Sequence, residues 1–232
     1  MVRLRSEEKN ELRPWTVKRQ YVIASLSFVV GCMLFLLAFI GMRYGIGLGK
    51  LDHPVLNWMI QHRTTAMTII MQAITTVASP APFTVILILI AIIWAAITRE
   101  IWRPLLLLLA TGAGAITSVV LKNIFIHARP PHALMVKPYE IDYSFPSGHT
   151  IAITTCVLIV GYLICSRHTS RTRITSWILV SIIGITLVAT SRLYLGYHWV
   201  TDVTASIGLG LMILAITIIV DKLLVKKEEA LQ

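Results

Sequence analysis

Charged residues are scarce in this sequence. They make up 14% of its 232 residues, whereas hydrophobic residues make up 56% and the mean hydropathy is +0.76. Soluble domains usually carry about 25% charged residues, so the composition argues against a soluble globular domain, and a chain this apolar is not disordered. The three cysteines Cys32, Cys156 and Cys165 all lie inside apolar segments. They predict no disulfide framework, and we interpret them as small packing residues. The composition predicts a membrane protein.

Six segments contain no charged residue, and each is 16 to 22 residues long. They cover residues 21–42, 82–98, 105–121, 150–165, 174–190 and 203–220. A helix needs roughly 17–25 residues to cross the hydrocarbon core, and backbone in lipid must form helices or a closed barrel. These segments are uniformly apolar and lack the period-two alternation of barrel strands. The sequence therefore predicts an all-α fold, a bundle of six transmembrane helices.

The region between the first two spans is ambiguous. Residues 64–79 are uncharged and carry apolar residues at helical spacing, but they also contain Gln72 and six threonines and serines. Together with residues 52–63 they predict a short helical hairpin in the membrane interface. The alternative is a seventh span, which would invert every later loop and place five arginines outside. The charge distribution disfavours that alternative.

The basic residues predict the topology. With the N-terminus in the cytoplasm, 14 Lys and Arg fall in inside segments and 7 in outside segments, in agreement with the positive-inside rule. We expect a multi-pass plasma-membrane protein with a cytoplasmic N-terminal segment 1–20, one integral domain 21–221 and a cytoplasmic tail 222–232. The net charge of +10 then anchors the chain to anionic lipid, so no nucleic-acid partner is expected.

Two loops carry the remaining chemistry. The first joins spans three and four, and the second joins spans five and six. Because two spans separate them, both loops emerge on the same membrane face, which the predicted topology places outside. Lys122 and Arg129 in the first loop are seven residues apart, so they would share one face of a helix that continued to Pro130. In this arrangement the two cations converge on one anion.

The start of span four predicts a second part of the same anion site. Ser147 and Gly148 stand immediately before it, where a helix N-terminus directs backbone N–H groups toward a ligand. Glycine there lets the ligand approach the backbone closely. His149 follows and can protonate a leaving group.

The second loop supplies a third cation, Arg192, and a nucleophile. His198 and Asp202 are four residues apart at a helix start, so the carboxylate can hold one ring nitrogen and leave the other for attack. Three cations, a helix N-terminus and two histidines predict a site for phosphoryl transfer.

The motifs Lys-x6-Arg-Pro, Pro-Ser-Gly-His and Ser-Arg-x5-His-x3-Asp resemble the three signatures of the phosphatidic acid phosphatase type 2 superfamily, the lipid phosphate phosphatases. All three are present without departure between residues 122 and 202. The resemblance implies a metal-independent membrane phosphatase that uses no cofactor and forms a phosphohistidine intermediate. It implies that His198 is the nucleophile, Asp202 its orienting partner, and His149 the general acid and then the base. The implied phosphate-binding group comprises Lys122, Arg129, Ser147, Gly148 and Arg192.

The resemblance leaves the substrate open. Hydrolysis of undecaprenyl diphosphate to undecaprenyl phosphate, in cell-wall biogenesis, fits an outward site with short loops if the source is bacterial. The alternative is phosphatidylglycerophosphate or phosphatidic acid in phospholipid metabolism. An alternative of another class is a non-catalytic protein that binds or transports lipid phosphates, which would need the cations but not two histidines.

Other polar residues receive structural interpretations. We expect Glu140 and Asp142 to be solvated, or to tune the outward loop. The remaining histidines are expected in solvated loops, because their spacing does not suggest a metal site; they are His53, His62, His127 and His132. Gly112 and Gly114 in span three are expected to permit close helix packing.

Overall fold

The computed structural model describes residues 15–167 and 170–230, and eight α-helices account for most of them. Residues 1–14 of the predicted N-terminal segment and residues 231–232 of the predicted tail lie outside the described residues. Two short 3-10 helices cover Gly47–Leu51 and His132–Leu134, and the described ranges contain no strand. The α-helices are α1 (Val17–Tyr44), α2 (Asp52–Gln61), α3 (Thr65–Val77), α4 (Pro80–Thr98), α5 (Trp102–Phe125), α6 (Gly148–Cys165), α7 (Arg171–Tyr194) and α8 (Val200–Ala230).

Six of these helices (α1, α4, α5, α6, α7 and α8) are long and apolar enough to cross a membrane. They contain the six segments predicted from the sequence, which confirms the all-α, six-span architecture. Helix α3 has 13 residues and is therefore about 20 Å long, too short to cross the hydrocarbon core. Helices α2 and α3 are joined by residues 62–64 and lie between the first two spans, where the sequence predicts a hairpin; both pack against α7, and we call the pair the α2–α3 hairpin.

Helices α6 and α8 form the centre of the bundle. Helix α8 packs against α1, α5 and α6, and α6 also packs against α5 and α7. Within one apolar 18-residue stretch of each spanning helix, the share of residues buried inside the protein is 56% in α8 and 44% in α6, compared with 11% in α4. Helix α4 therefore lies at the lipid-facing edge, in contact with α5 and α3.

Glycines set the spacing at two helix contacts. A Cβ added to Gly31 of α1 would lie 2.6 Å from the carbonyl oxygen of Gly208 in α8, so these helices meet backbone to backbone. A Cβ at Gly114 would lie 3.3 Å from a methyl group of Ile151, consistent with the packing role expected for Gly114. The same expectation for Gly112 is wrong, because nothing lies within 4 Å of its added Cβ; Gly112 instead borders a cavity.

Helix α5 ends at Phe125 and not at Pro130. Ile126 adopts a left-handed conformation with φ 49°, and its N–H donates to the carbonyl of Lys122 at 3.0 Å. This conformation terminates the helix. Arg129 therefore reaches the site from a loop, and the predicted helical route for its convergence with Lys122 is wrong.

An aromatic cluster fixes the loop that follows α5. The ring of Phe125 lies 5.1 Å from that of Phe39 in α1 and 5.4 Å from that of Phe145, centroid to centroid. Phe145 is fully buried. Since Phe145 stands three residues before α6, its burial holds the N-terminus of α6 against the end of α5.

Candidate active site

The two loops predicted to carry the chemistry meet at one end of the bundle, beside the α2–α3 hairpin. A cavity of about 1170 Å³ lies there, bordered by α3, α4, α5, α6 and the loop between α5 and α6. Within the described chain it brings together six of the eight predicted site residues. They are Lys122, Arg129, Gly148, His149, Arg192 and His198.

Asp202 lies behind His198, away from the cavity. Its Oδ2 is 3.1 Å from Nδ1 of His198 and accepts hydrogen bonds from the hydroxyl of Ser144 and, at 2.8 Å, from the backbone N–H of Trp199. Asp202 and Ser144 are fully buried, and His198 is 1% exposed. The sequence interpretation missed Ser144, whose proximity depends on the path of the loop before Phe145.

The tautomer of His198 follows from its two neighbours. Nη1 of Arg129 lies 3.1 Å from Nε2 of His198, and a guanidinium has donors but no acceptor. Nε2 must therefore accept, and the ring proton resides on Nδ1, where it faces Asp202 and, at 3.3 Å, Ser144. The lone pair of the ring is therefore on Nε2, beside Arg129, and both residues line the cavity.

His198 is held in its neutral form. Burial is the largest cause, and the positive charges of Arg129 and Arg192 add to it, so the pKa of His198 lies well below its ordinary value of 6.5. A neutral imidazole at physiological pH is the form that can attack phosphorus.

Two loop carboxylates contact all three predicted cations. Arg192 pairs with Glu140 at 2.6 Å, and Arg129 pairs with the same carboxylate at 3.2 Å. Asp142 pairs with both Lys122 and Arg129. The interpretation of Glu140 and Asp142 as solvated residues is wrong in this respect, although the side chain of Asp142 is still 54% exposed.

The pKa values of both carboxyls reflect this pairing. Burial alone would raise the pKa of Glu140, but the charges of Arg192 and Arg129 outweigh it, and the pKa lies below its ordinary value. Burial opposes the shift of Asp142 in the same way, and contacts with Lys122 and Arg129 bring its pKa below the ordinary value. Both groups are therefore ionised at neutral pH.

Arg192 is 1% exposed and is held from two further sides. Its Nη1 donates to the hydroxyl of Thr75 in α3 at 2.7 Å, and its guanidinium carbon lies 4.5 Å from the ring centroid of Tyr197. Thr75 was not identified from the sequence, because the apolar and polar residues of α3 gave no indication of which face meets α7.

The N-terminus of α6 contributes differently from residue to residue. Gly148 and His149 border the cavity, and a Cβ at Gly148 would lie 3.3 Å from the hydroxyl of Ser118. Ser147 is fully buried, accepts a hydrogen bond from the hydroxyl of Thr150 at 3.0 Å, and is absent from the cavity wall in the described residues. Its predicted contact with phosphate stays a prediction.

The cavity continues as an apolar groove toward the lipid-facing side of the bundle. Its walls in this part are mainly hydrophobic side chains and glycine, interrupted by Thr84, Thr111 and Ser118, with α4 on one side and α5 on the other. The groove therefore runs from the cations along α4, which is the least buried span. Its apolar lining includes Phe83, Leu87, Ile88, Leu108, Gly112 and Val119.

The α2–α3 hairpin is fastened to the elements that carry the site. Asp52 of α2 accepts hydrogen bonds from the N–H of Thr201 at 3.0 Å and from its hydroxyl at 2.9 Å, so it caps the start of α8. Burial raises the pKa of Asp52 despite these bonds. Arg63 donates to the carbonyls of Tyr194 at 2.9 Å and Leu134 at 2.8 Å. The hairpin thereby fixes both loops of the site.

Among the residues that the structure describes, no group of three or more His, Cys, Asp and Glu side chains is arranged to hold a metal ion. The polar lining of the cavity instead comprises three cations, two histidines and the two carboxylates that pair with the cations, and the cations suit an anionic ligand. Metal independence stays a prediction that a chelator can test.

The fold and the site define a multi-pass integral membrane protein with three cations and two histidines around one cavity at one end of its helical bundle. Comparison with known proteins shows the family. The family model for the PAP2 superfamily matches residues 103–224, more than half of the chain, so this protein belongs to the PAP2 superfamily.

Two curated relatives and one solved structure are similar to this chain. Phosphatidylglycerophosphatase B of Bacillus subtilis (strain 168) is 33% identical over 121 residues, 50% of this chain and 56% of the relative. Undecaprenyl-diphosphatase of Sulfolobus acidocaldarius is 35% identical over 117 residues, 49% of this chain and 52% of the relative. The match thus spans about half the length of each curated relative.

The structural match extends over more of the chain. The crystal structure of a transmembrane PAP2-type phosphatidylglycerolphosphate phosphatase from Bacillus subtilis superposes with a TM-score of 0.71 at 23% identity. The match covers 84% of this chain and 96% of that protein. At this level of identity the similarity establishes a shared fold.

Proposed function

We propose that this protein is a metal-independent phosphatase that removes a terminal phosphate from a membrane lipid through a phosphohistidine intermediate. The observation that carries the proposal is the position of Nε2 of His198. This nitrogen carries the ring's lone pair and accepts from Arg129, the ring proton on Nδ1 is directed at Asp202, and His198 lines a cavity together with three cations. The apolar groove that enters the same cavity suits a substrate whose chains remain in lipid.

The first chemical step forms the phosphoenzyme. Lys122, Arg129 and Arg192 bind the phosphoryl oxygens, together with the backbone N–H groups at the start of α6. Nε2 of His198 attacks phosphorus, and the bond between phosphorus and the leaving oxygen breaks. His149 donates its proton to that oxygen. Asp202 stabilises the positive charge that develops on the imidazole, because it accepts the hydrogen bond from Nδ1.

The second step releases inorganic phosphate. His149, now neutral, takes a proton from a water molecule, and the oxygen of that water attacks phosphorus. The bond between phosphorus and Nε2 breaks, which regenerates neutral His198 and protonated His149. Each histidine thus returns to its starting state, and one water is consumed per phosphate released.

The lipid groove and the relatives suggest two substrate classes. The apolar walls on α4 and α5 favour a lipid without selecting a headgroup. Undecaprenyl diphosphate, converted to undecaprenyl phosphate, is the substrate that we propose first, and the Sulfolobus relative bears the name undecaprenyl-diphosphatase. The alternative is phosphatidylglycerophosphate or phosphatidic acid, and the Bacillus relative is named phosphatidylglycerophosphatase B.

We also propose the arrangement in the membrane. Residues 21–221 form one integral domain in the plasma membrane, both termini face the cytoplasm, and the site faces outside. The excess of basic residues in the segments assigned to the cytoplasm supports this orientation.

A substrate panel tests the proposed function. Purified protein is assayed for phosphate release from undecaprenyl diphosphate, phosphatidylglycerophosphate and phosphatidic acid, each with EDTA present. We expect phosphate release from at least one of them at the same rate with and without the chelator. The lipid that is hydrolysed fastest distinguishes undecaprenyl diphosphate from the glycerophospholipid substrates. Absence of release from every lipid phosphate would refute the proposal, and loss of activity in EDTA would refute metal independence.

A further inference from the structure

Every cation of the site is paired with a carboxylate from one short stretch of the α5–α6 loop. Glu140 contacts Arg129 at 3.2 Å and Arg192 at 2.6 Å, and Asp142 contacts Lys122 and Arg129. A lipid phosphate that binds these cations must therefore compete with two internal carboxylates for the same donors.

The charges of the competing groups determine which phosphates can displace the carboxylates from the cations. The three cations carry three positive charges, and the two carboxylates carry two negative charges. The terminal phosphoryl group of a phosphate monoester or of a diphosphate brings about 1.5 to 2 negative charges at neutral pH, which is close to the charge it replaces. A phosphodiester brings a single negative charge, so its entry would leave two of the three positive charges uncompensated, one more than with the carboxylates in place, at a high cost in a desolvated site.

We propose that Glu140 and Asp142 are specificity-determining residues that exclude phosphodiester headgroups from the cation site. The membrane around the apolar groove consists largely of phosphodiester lipids, which reach the same cations by the same route. The two carboxylates keep their ion pairs with the cations when a phosphodiester approaches, and a terminal phosphate displaces them. This role rests on the proposed phosphatase function and adds to it a mechanism of substrate choice.

The surroundings of the two carboxylates allow them to yield. A second cavity of about 260 Å³ lies on the other side of the same stretch, and Arg129, Glu140 and Asp142 line both cavities. Asp142 is already 54% exposed. The carboxylates can therefore turn toward the second cavity and water without being buried elsewhere.

The variants Glu140→Gln and Asp142→Asn, alone and combined, test this role because they keep the shape of each side chain and remove its charge. Glu100→Gln is the matched control. Glu100 pairs with Arg167 at 2.6 Å at the opposite end of the bundle, so its substitution removes a paired carboxylate without touching the site. All variants are purified in detergent, and their folding is compared by thermal melting.

Two measurements are made on each variant: the Kd of inorganic phosphate by calorimetry, and the inhibition of lipid phosphate hydrolysis by phosphatidylglycerol, a phosphodiester. We expect the double variant to bind inorganic phosphate about tenfold more tightly. We also expect phosphatidylglycerol to inhibit it at a concentration about tenfold lower than in the wild type. The Glu100→Gln control should match the wild type in both measurements.

Unchanged or weaker phosphate binding by a folded double variant would overturn the role, because the carboxylates would then position the cations and not compete with the ligand. Unchanged sensitivity to phosphatidylglycerol would overturn it as well. If the wild-type protein released phosphate from no lipid, the proposed function would be refuted. Tighter phosphate binding by the double variant would then still support the competition for the cations.

Discussion

Nη1 of Arg129 lies 3.1 Å from Nε2 of His198, and this contact links the cation cluster to the proposed nucleophile. The same guanidinium donates to the carbonyl of Tyr197 at 2.6 Å and through Nε to the carbonyl of Asp142 at 2.8 Å. Arg129 therefore fixes the tautomer of His198 and contributes to its low pKa, and in the proposed mechanism it also supplies a donor for phosphate.

Replacement of Arg129 by Gln should move the acid limb of the pH profile upward. A neighbouring cation disfavours imidazolium, so its removal raises the pKa of His198. Protonation then removes the nucleophile at a higher pH than in the wild type. The pH dependence of kcat/KM for one lipid phosphate checks this shift, and the ionisation of the substrate is common to both enzymes. We also expect kcat to fall by roughly 10²- to 10³-fold.

The control for that experiment is Arg167→Gln. Arg167 pairs with Glu100 far from the site, so its loss should leave the acid limb in place. An acid limb that does not move in the Arg129 variant would show that Arg129 does not set the charge of His198.

Asp202→Asn should lower kcat by roughly 10²- to 10⁴-fold, because the carboxylate holds the Nδ1 proton of His198 and compensates the charge that forms during attack. Ser144→Ala should lower kcat by about tenfold, since it removes one hydrogen bond to that carboxylate. In both variants KM should change little, because neither side chain borders the cavity in the described structure.

Steady-state kinetics with one lipid substrate separates the two constants. Ser181→Ala is the control, because Ser181 is also a buried serine but lies in α7; this variant should leave kcat and KM unchanged. If Ser144→Ala raised KM and left kcat unchanged, Ser144 would not act through the His198–Asp202 pair.

The spans and the grouping of most candidate site residues could be predicted from the sequence for clear reasons. Charge-free segments of spanning length leave the backbone no alternative to helices in lipid. The motifs around His198 and His149 lie on the same side of the membrane by parity alone. The structure brings both residues to one cavity.

The remaining features depend on contacts that local sequence does not encode. The end of α5 at Phe125 follows from the left-handed conformation of Ile126, which is rare for a β-branched residue. The ion pairs of Glu140 and Asp142 depend on a long loop that folds back over the cations. Thr75 meets Arg192 across more than a hundred residues of chain, and such pairings are a matter of tertiary packing.

Gly112→Trp should obstruct the apolar groove. Nothing lies within 4 Å of a Cβ added at Gly112, which borders the cavity, so the indole can project into the space proposed for lipid chains. We expect kcat/KM for long-chain lipid phosphates to fall by about tenfold, equivalent to two buried methylene groups. Activity toward a short, water-soluble phosphate monoester should be retained.

Ile116→Trp provides the matched control for the groove. Ile116 lies on the same helix and is 66% exposed within the protein, so an indole there faces lipid and should leave both substrates unaffected. An equal loss on long and short substrates in the Gly112 variant would argue against a lipid path along α5.

Membrane orientation can be tested with single cysteines at positions 137 and 171, introduced after replacement of Cys32, Cys156 and Cys165. The proposed topology places Lys137 outside and Arg171 inside. A membrane-impermeant maleimide should label the Lys137→Cys variant on intact cells and the Arg171→Cys variant only after permeabilisation. The opposite labelling pattern would reverse the orientation and place the site in the cytoplasm.

The central claim is that Nε2 of His198 carries the phosphoryl group during turnover. The most direct measurement is a rapid alkaline quench of wild-type protein mixed with lipid phosphate, followed by mass spectrometry of its peptides, with His198→Gln treated in parallel. We predict a phosphoryl group on His198 in the wild type and at least a roughly 10³-fold loss of turnover in the variant. A phosphoryl group on a different residue, or hydrolysis by His198→Gln at the wild-type rate, would contradict the account.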